Sequence, residues 1–203
     1  TTSVQVPFEN AGSVRVFVGT LSATAGYVQT GGSTSVEGGT LSSSTALDIR
    51  GGSLAGSGTV AANVVTQAAR LAPGLSPGAL AISGTYAQSA AGSFDVEIGG
   101  LLPGTEHDRA DITGALTLAG GLNVSLLDGF IPADFDTFTI MTFPSSAGTF
   151  GIANLPLLPG DLVWKTHYDP TSIGLEVLAD LDGDGVRNLD DCAPDDPTAW
   201  SIP

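Results

Sequence analysis

Residues 38–60 read GGTLSSSTALDIRGGSLAGSGTV, and within them glycine, a small hydroxyl residue and an aliphatic residue keep recurring in that order. The apolar pieces GGTL (38–41), ALDI (46–49), GGSL (51–54) and GTV (58–60) are too short and too broken by glycine to make helices. The same phrase extends upstream through GTL (19–21), GYVQT (26–30) and GGSTSV (31–36). Leu21 and Leu41 lie 20 residues apart and Leu41 and Leu54 lie 13 apart, a degenerate repeat of a coil about 20 residues long. Such a period suits a β-solenoid, in which short strands stack their inward residues from coil to coil at about 4.8 Å. Glycine supplies the positive φ that sharp corners demand. The fold class read from these residues is all-β, a parallel β-solenoid (β-helix) over residues 1–125. An antiparallel sandwich with glycine-rich hairpins is the alternative.

Working outward, SVQVPF (3–8) and SVRVFV (13–18) alternate β-branched with polar residues, as half-buried strands do. Beyond Arg70, two Pro-Gly turns lead into strands within LAPGLSPGALAISGTYAQSAAGSFDVEIGG (71–100). LTL, LNVSLL and DTFTIMTF (136–143) continue the two-residue alternation, and WKTHYD with SIGLEVL (164–178) reads as a closing pair. No window shows helical periodicity over eleven residues or more. Residues 126–178 are therefore a strand-rich closing region, or cap, of the same domain, and residues 179–203 an acidic linker.

Composition narrows the function. Gly, Pro, Ser and Thr contribute 28, 12 and, for Ser plus Thr, 40 of 203 residues, while 42% of the chain is hydrophobic and able to build a core. Six Lys plus Arg against 21 Asp plus Glu give a net charge of −15. Arg15, Arg50, Arg70, Arg109, Lys165 and Arg187 stand apart, so nucleic acid and anionic membranes are excluded as partners. No apolar run reaches the ~18 residues of a transmembrane helix. The single cysteine, Cys192, rules out an internal disulfide framework. Scarce Lys, abundant Ser and Thr and the acidic balance point to an extracellular or cell-surface, bacterial-type secreted protein. Beginning at Thr1 without a signal peptide, the chain reads as a mature or excised segment.

The sharpest motif is Asp-Leu-Asp-Gly-Asp-Gly-Val-Arg-Asn-Leu-Asp-Asp, residues 180–191. Asp180, Asp182, Asp184, Val186, Asn188 and Asp191 fall at positions 1, 3, 5, 7, 9 and 12 of a twelve-residue calcium loop, with Gly185 at position 6. Alternate side chains in a tight loop converge on one point, and Ca²⁺ takes six to eight oxygens. Val186 would offer its backbone carbonyl. A solvated acidic turn held by Asx hydrogen bonds is the other reading. A second ion on Asp190, Asp195 and Asp196 is not expected.

Catalytic signatures are missing. Glu106-His107-Asp108 with Asp111 is the one acid–base grouping, and it reads as a polar turn. His167, between Trp164 and Tyr168 on an alternating strand, reads as a packed or edge histidine. Without GxSxG, HExxH or a phosphate loop the chain is read as a non-enzyme. Tyr27, Tyr86, Trp164 and Trp200 are too dispersed for a sugar-stacking platform.

The succession LAPGLSPGALAISGTYAQ, GSFDVEIGG, HDRADITGALTLAGGLNVSLLDGF, DTFTIMTF and SSAGTF, with the GGTL and GGSLAGSGTV phrases before it, resembles the end of the β-helical passenger region of autotransporter-like secreted bacterial proteins. The likeness covers about residues 12–152 and implies a right-handed parallel β-helix at the cell surface. Residues 180–192, DxDGDGxxNxxDxC, resemble a thrombospondin type 3 repeat; in that family the cysteine pairs with one of a neighbouring repeat, and here Cys192 has no such partner in the chain.

Two roles follow as expectations. The first is a structural subunit that binds copies of itself into a filament, sheath or surface coat, with a calcium-stiffened C-terminal junction. TTSVQVPF (1–8), a free β-branched strand, is the candidate pairing segment. The alternative is an adhesin or binding module of a larger secreted protein, recognising a glycan or a cell surface.

Overall fold

A computed structural model describes residues 1–180, 182–183, 188, 190–191 and 193–198. All regular structure among them is β. The first coil comprises β1 (Thr2–Val4), β2 (Phe8–Asn10) and β3 (Ser13–Val16), and the second β4 (Thr20–Ala23), β5 (Tyr27–Gln29) and β6 (Ser33–Val36). In the next two coils the second and third strands fuse, giving β7 (Thr40–Ser43) with β8 (Leu47–Gly56) and β9 (Thr59–Ala61) with β10 (Val64–Pro73). Two further coils follow: β11 (Ala79–Ile82), β12 (Tyr86–Gln88) and β13 (Ser93–Ile98), then β14 (Arg109–Ile112), β15 (Leu116–Leu118) and β16 (Gly121–Leu126). The last comprises β17 (Thr137–Thr142), β18 (Ser146–Gly148) and β19 (Ile152–Asn154), and a hairpin of β20 (Leu162–Tyr168) and β21 (Ser172–Ala179) closes the described fold.

Each strand pairs in parallel with its counterpart one coil on. The first strands of the coils form a nine-stranded sheet ending in β17-β21-β20, and the remaining strands form a twelve-stranded sheet that bends where β8 and β10 turn the corner. Parallel stacking therefore runs to Asn154, past residue 125. It stops when β21 pairs with β17 in the antiparallel sense, and β20 with β21 likewise.

Register turns the sequence repeat into a core. Phe8, Tyr27, Leu47, Val64, Tyr86 and Leu116 align one above another, as do Thr34, Leu54, Leu71, Phe94 and Leu122. Leu41, Leu47, Leu54, Leu71, Phe94 and Leu122 are fully buried. Each such side chain contributes about 1.5–3 kcal/mol relative to exposure. Coil length begins as expected, with Thr20 beside Thr40 and Thr40 beside Thr59. Later it grows: Ala79 pairs with Arg109 and Ala110 with Met141, because loops over 99–108 and 127–136 are inserted between faces.

One inward corner is polar. Tyr27 OH and the Gln29 amide oxygen both meet the Thr34 hydroxyl, at 2.5 and 2.6 Å, and Asn10 donates to Gln29 Oε1 at 3.1 Å. Gln29 Nε2 donates to the carbonyls of Gly51 and Ser53 at the corner of the next coil. Gln88 repeats the arrangement with Ala119 and Gly121, at 2.7 and 3.1 Å, while accepting from Tyr86 OH. A turn this tight aims carbonyls into the interior, where leaving one unpaired costs about 1–3 kcal/mol; the buried amides satisfy them.

Candidate functional site

Four of the six residues predicted to ligate calcium are described; Asp184 and Val186, like Cys192, lie outside the described residues. Asp180 is buried at the end of β21, and its Oδ1 accepts from the Gly183 N–H at 2.8 Å. Asn188 is tied back to the fold, its N–H donating to the Ala179 carbonyl (2.8 Å) and its Nδ2 to Asp161 Oδ2 (2.7 Å). Asp191 Oδ1 accepts from the Ala193 N–H at 2.9 Å. Its Oδ2 is shielded from solvent with no hydrogen-bond partner among the described residues, an acceptor of the kind a hard cation would use. Among the described residues no three His, Cys, Asp or Glu side chains converge on a metal position.

The Glu106–Asp108 segment is more than a solvated turn. Its His107 ring is buried between the carbonyls of Gly100 and Thr139 and packs edge-on against Phe138 at 5.4 Å. Burial lowers its pKa, although the two carbonyl acceptors pull the other way. Asp108 is 2% exposed; its Oδ1 accepts from Gly78 N and its Oδ2 from Glu97 N, at 2.8 and 2.9 Å. Burial pushes its carboxyl up to about 7, although the two backbone donors pull the other way. Asp111 instead pairs on the surface with Arg109 and accepts from Thr142. The grouping read from sequence is thus split, with His107 and Asp108 bracing the long loop from inside. His167 is half-buried and bonds Glu176 Oε2 at 2.7 Å.

A lateral groove of about 380 Å³ crosses the outer face of β8, β10, β13 and β16, beside the loop at 74–76. Ala55, Ala72 and Pro73 give it an apolar floor, while Arg70, Asp95, Glu97, Asn123 and Ser125 bring polar groups to it. Asp95 is the hub: Ser93 Oγ and Asn123 Nδ2 donate to its Oδ1 at 3.0 and 2.8 Å, and Arg70 Nη1 lies 3.4 Å from its Oδ2. Asn154 extends this outer ladder by donating to Asn123 Oδ1 at 2.7 Å. Sequence reading missed the groove, because its residues are spread over successive coils and look like ordinary outward polar positions.

The first coil is stacked on one side among the described residues. Among the described residues β1 pairs only with β4, β2 only with β5 and β3 only with β6. Val6, Phe17 and Val18 around it are 64%, 52% and 86% exposed. At the far end β18 and β19 also pair on one side only, and Ile152 is exposed. No helix of the described residues is long and apolar enough to cross a membrane. No protein-family model and no curated protein matches the chain.

Proposed function

We propose that the chain is an extracellular or cell-surface structural β-solenoid whose rim takes up coils from copies of itself, building a filament, sheath or surface coat. The pairing of β1, β2 and β3 on one side only, among the described residues, supports this reading. Unpaired strand edges template further strands, and the exposed Val6, Phe17 and Val18 add apolar area to the same end. Joining this rim to the opposite rim is a heterologous contact, which propagates rather than closes.

Phe8 N–H donates to Gly26 and the Asn10 carbonyl accepts from Thr30, so both bond to the second coil. By strand alternation Glu9 turns its N–H toward the open edge. Glu9→Pro and Val18→Lys are expected to abolish concentration-dependent assembly with the melting midpoint nearly unchanged. Sedimentation and electron microscopy read this. A wild type that stays monomeric at all accessible concentrations sinks the reading.

In the same proposal calcium stiffens residues 179–203 through Asp180, Asp182, Asp184, Asn188, Asp191 and the Val186 carbonyl. Calorimetric titration is expected to show one Ca²⁺ per chain, lost in Asp191→Asn. Heat-silent titration, or binding unaffected by that change, would remove calcium from the account. A second role, as a binding module, is favoured by the lateral groove.

A further inference from the structure

We propose that the lateral groove binds a neutral oligosaccharide, laid along the solenoid axis across successive rungs. This rests on the binding-module role and is independent of self-assembly. The polar groups facing the groove are only partly used. Arg70 makes a single 3.4 Å contact through Nη1, leaving its other donors without a protein partner among the described residues. The Glu97 carboxylate and the Ser125 hydroxyl, adjacent in register on β13 and β16, likewise have none. Free donors and free acceptors within one groove match sugar hydroxyls, each of which both gives and accepts a hydrogen bond.

Charge narrows the class. Asp95 and Glu97 disfavour an anionic ligand, and Arg70 in the same groove disfavours a lone cation. Asp95 is already engaged by Arg70, Ser93 and Asn123, so it orients its neighbours rather than waiting for a metal. Ala72, a small residue of the floor, leaves room for the apolar face of a sugar ring. Rungs repeat at about 4.8 Å, close to the rise of one pyranose in an extended chain, so consecutive rings can meet equivalent strand positions.

The test is calorimetric titration of the full chain with cellotriose and maltotriose, beside trigalacturonate as the anionic and glucosamine trimer as the cationic control. At least one neutral trisaccharide should bind ten times more tightly than either charged trimer. Glu97→Gln and Arg70→Ala should each weaken it about tenfold, and Ala72→Trp, which fills the floor, should abolish it while the melting midpoint holds. Failure of both neutral sugars to bind, equal binding of a charged trimer, or full binding by Ala72→Trp overturns the proposal. Glu9→Pro should bind sugar as the wild type does, and the groove variants should sediment as the wild type does, so each proposal can fail alone.

Discussion

Replacing Asp108 by Ala is expected to lower the unfolding free energy by about 3–5 kcal/mol, because two buried backbone donors lose their acceptor at once. Gly78 N–H, just before β11, and Glu97 N–H, on β13, lie at opposite ends of one coil, and the Asp108 carboxylate joins them. Its titration adds a pH signature. The carboxyl is raised from 3.8 to about 7 in the fold, so between those values the native state holds a proton that the unfolded chain releases. The contribution is therefore complete below about pH 3.8 and disappears as pH rises through about 7, a change on the order of 2–4 kcal/mol. Urea unfolding of the wild type at pH 4, 5.5, 7 and 8.5 should show stability falling across that window. Asp108→Asn, which keeps one acceptor and cannot titrate, should be less stable at low pH and flatter in slope. Stability rising from pH 4 to 7, or an Asp108→Ala loss under 1 kcal/mol, would show that the carboxyl is ionised and replaceable.

Asp108 marks the limit of what the residues alone disclose. Its partners lie 30 and 11 positions away, so nothing near HDRAD distinguishes a buried brace from a solvated turn. The early rungs were legible because period, glycine and aliphatic residue all agree there. Leu21 and Leu41 do sit in register, and the pair at 164–178 does form the closing hairpin. The later coils were harder, since the loops at 99–108 and 127–136 stretch the spacing from Ala79 to Arg109 and from Ala110 to Met141. That stretching hid the continuation of parallel pairing to Asn154. The polar corner had a readable signal that reasoning about apolar alternation passes over. Tyr-x-Gln occurs at 27–29 and again at 86–88, each placing a glutamine at an inward position where only hydrogen-bonded amides survive. The groove had none, because its geometry exists only once four strands are stacked.

The second large effect lies at the corner glycines. Gly52 has φ of +73° and stacks on Gly32, which has φ of +67°. A Cβ at Gly52 would overlap the carbonyl oxygen, carbon and nitrogen of Gly32, and one at Gly32 would overlap the Gly12 carbonyl, so the corner is a column in which backbone touches backbone. Gly19 provides the control: its φ is +71°, and a Cβ there meets nothing within 4 Å. Gly19→Ala therefore carries only the backbone term, about 1–2 kcal/mol. Gly52→Ala adds a clash that yields only if the second and third coils separate, breaking the Gly51 and Ser53 carbonyl bonds to Gln29 as they do. Its loss should exceed that of Gly19→Ala by about 2 kcal/mol or more, and Gly52→Val, branched at Cβ, should exceed both. Because each coil is held mainly by its neighbours, the damage should stay local. Hydrogen exchange is expected to accelerate over 20–56 in Gly52→Ala while the amides of β13 and β16 keep their protection. Equal losses for the Gly19 and Gly52 variants would mean that the corner has slack and that close coil contact there is not what holds the stack.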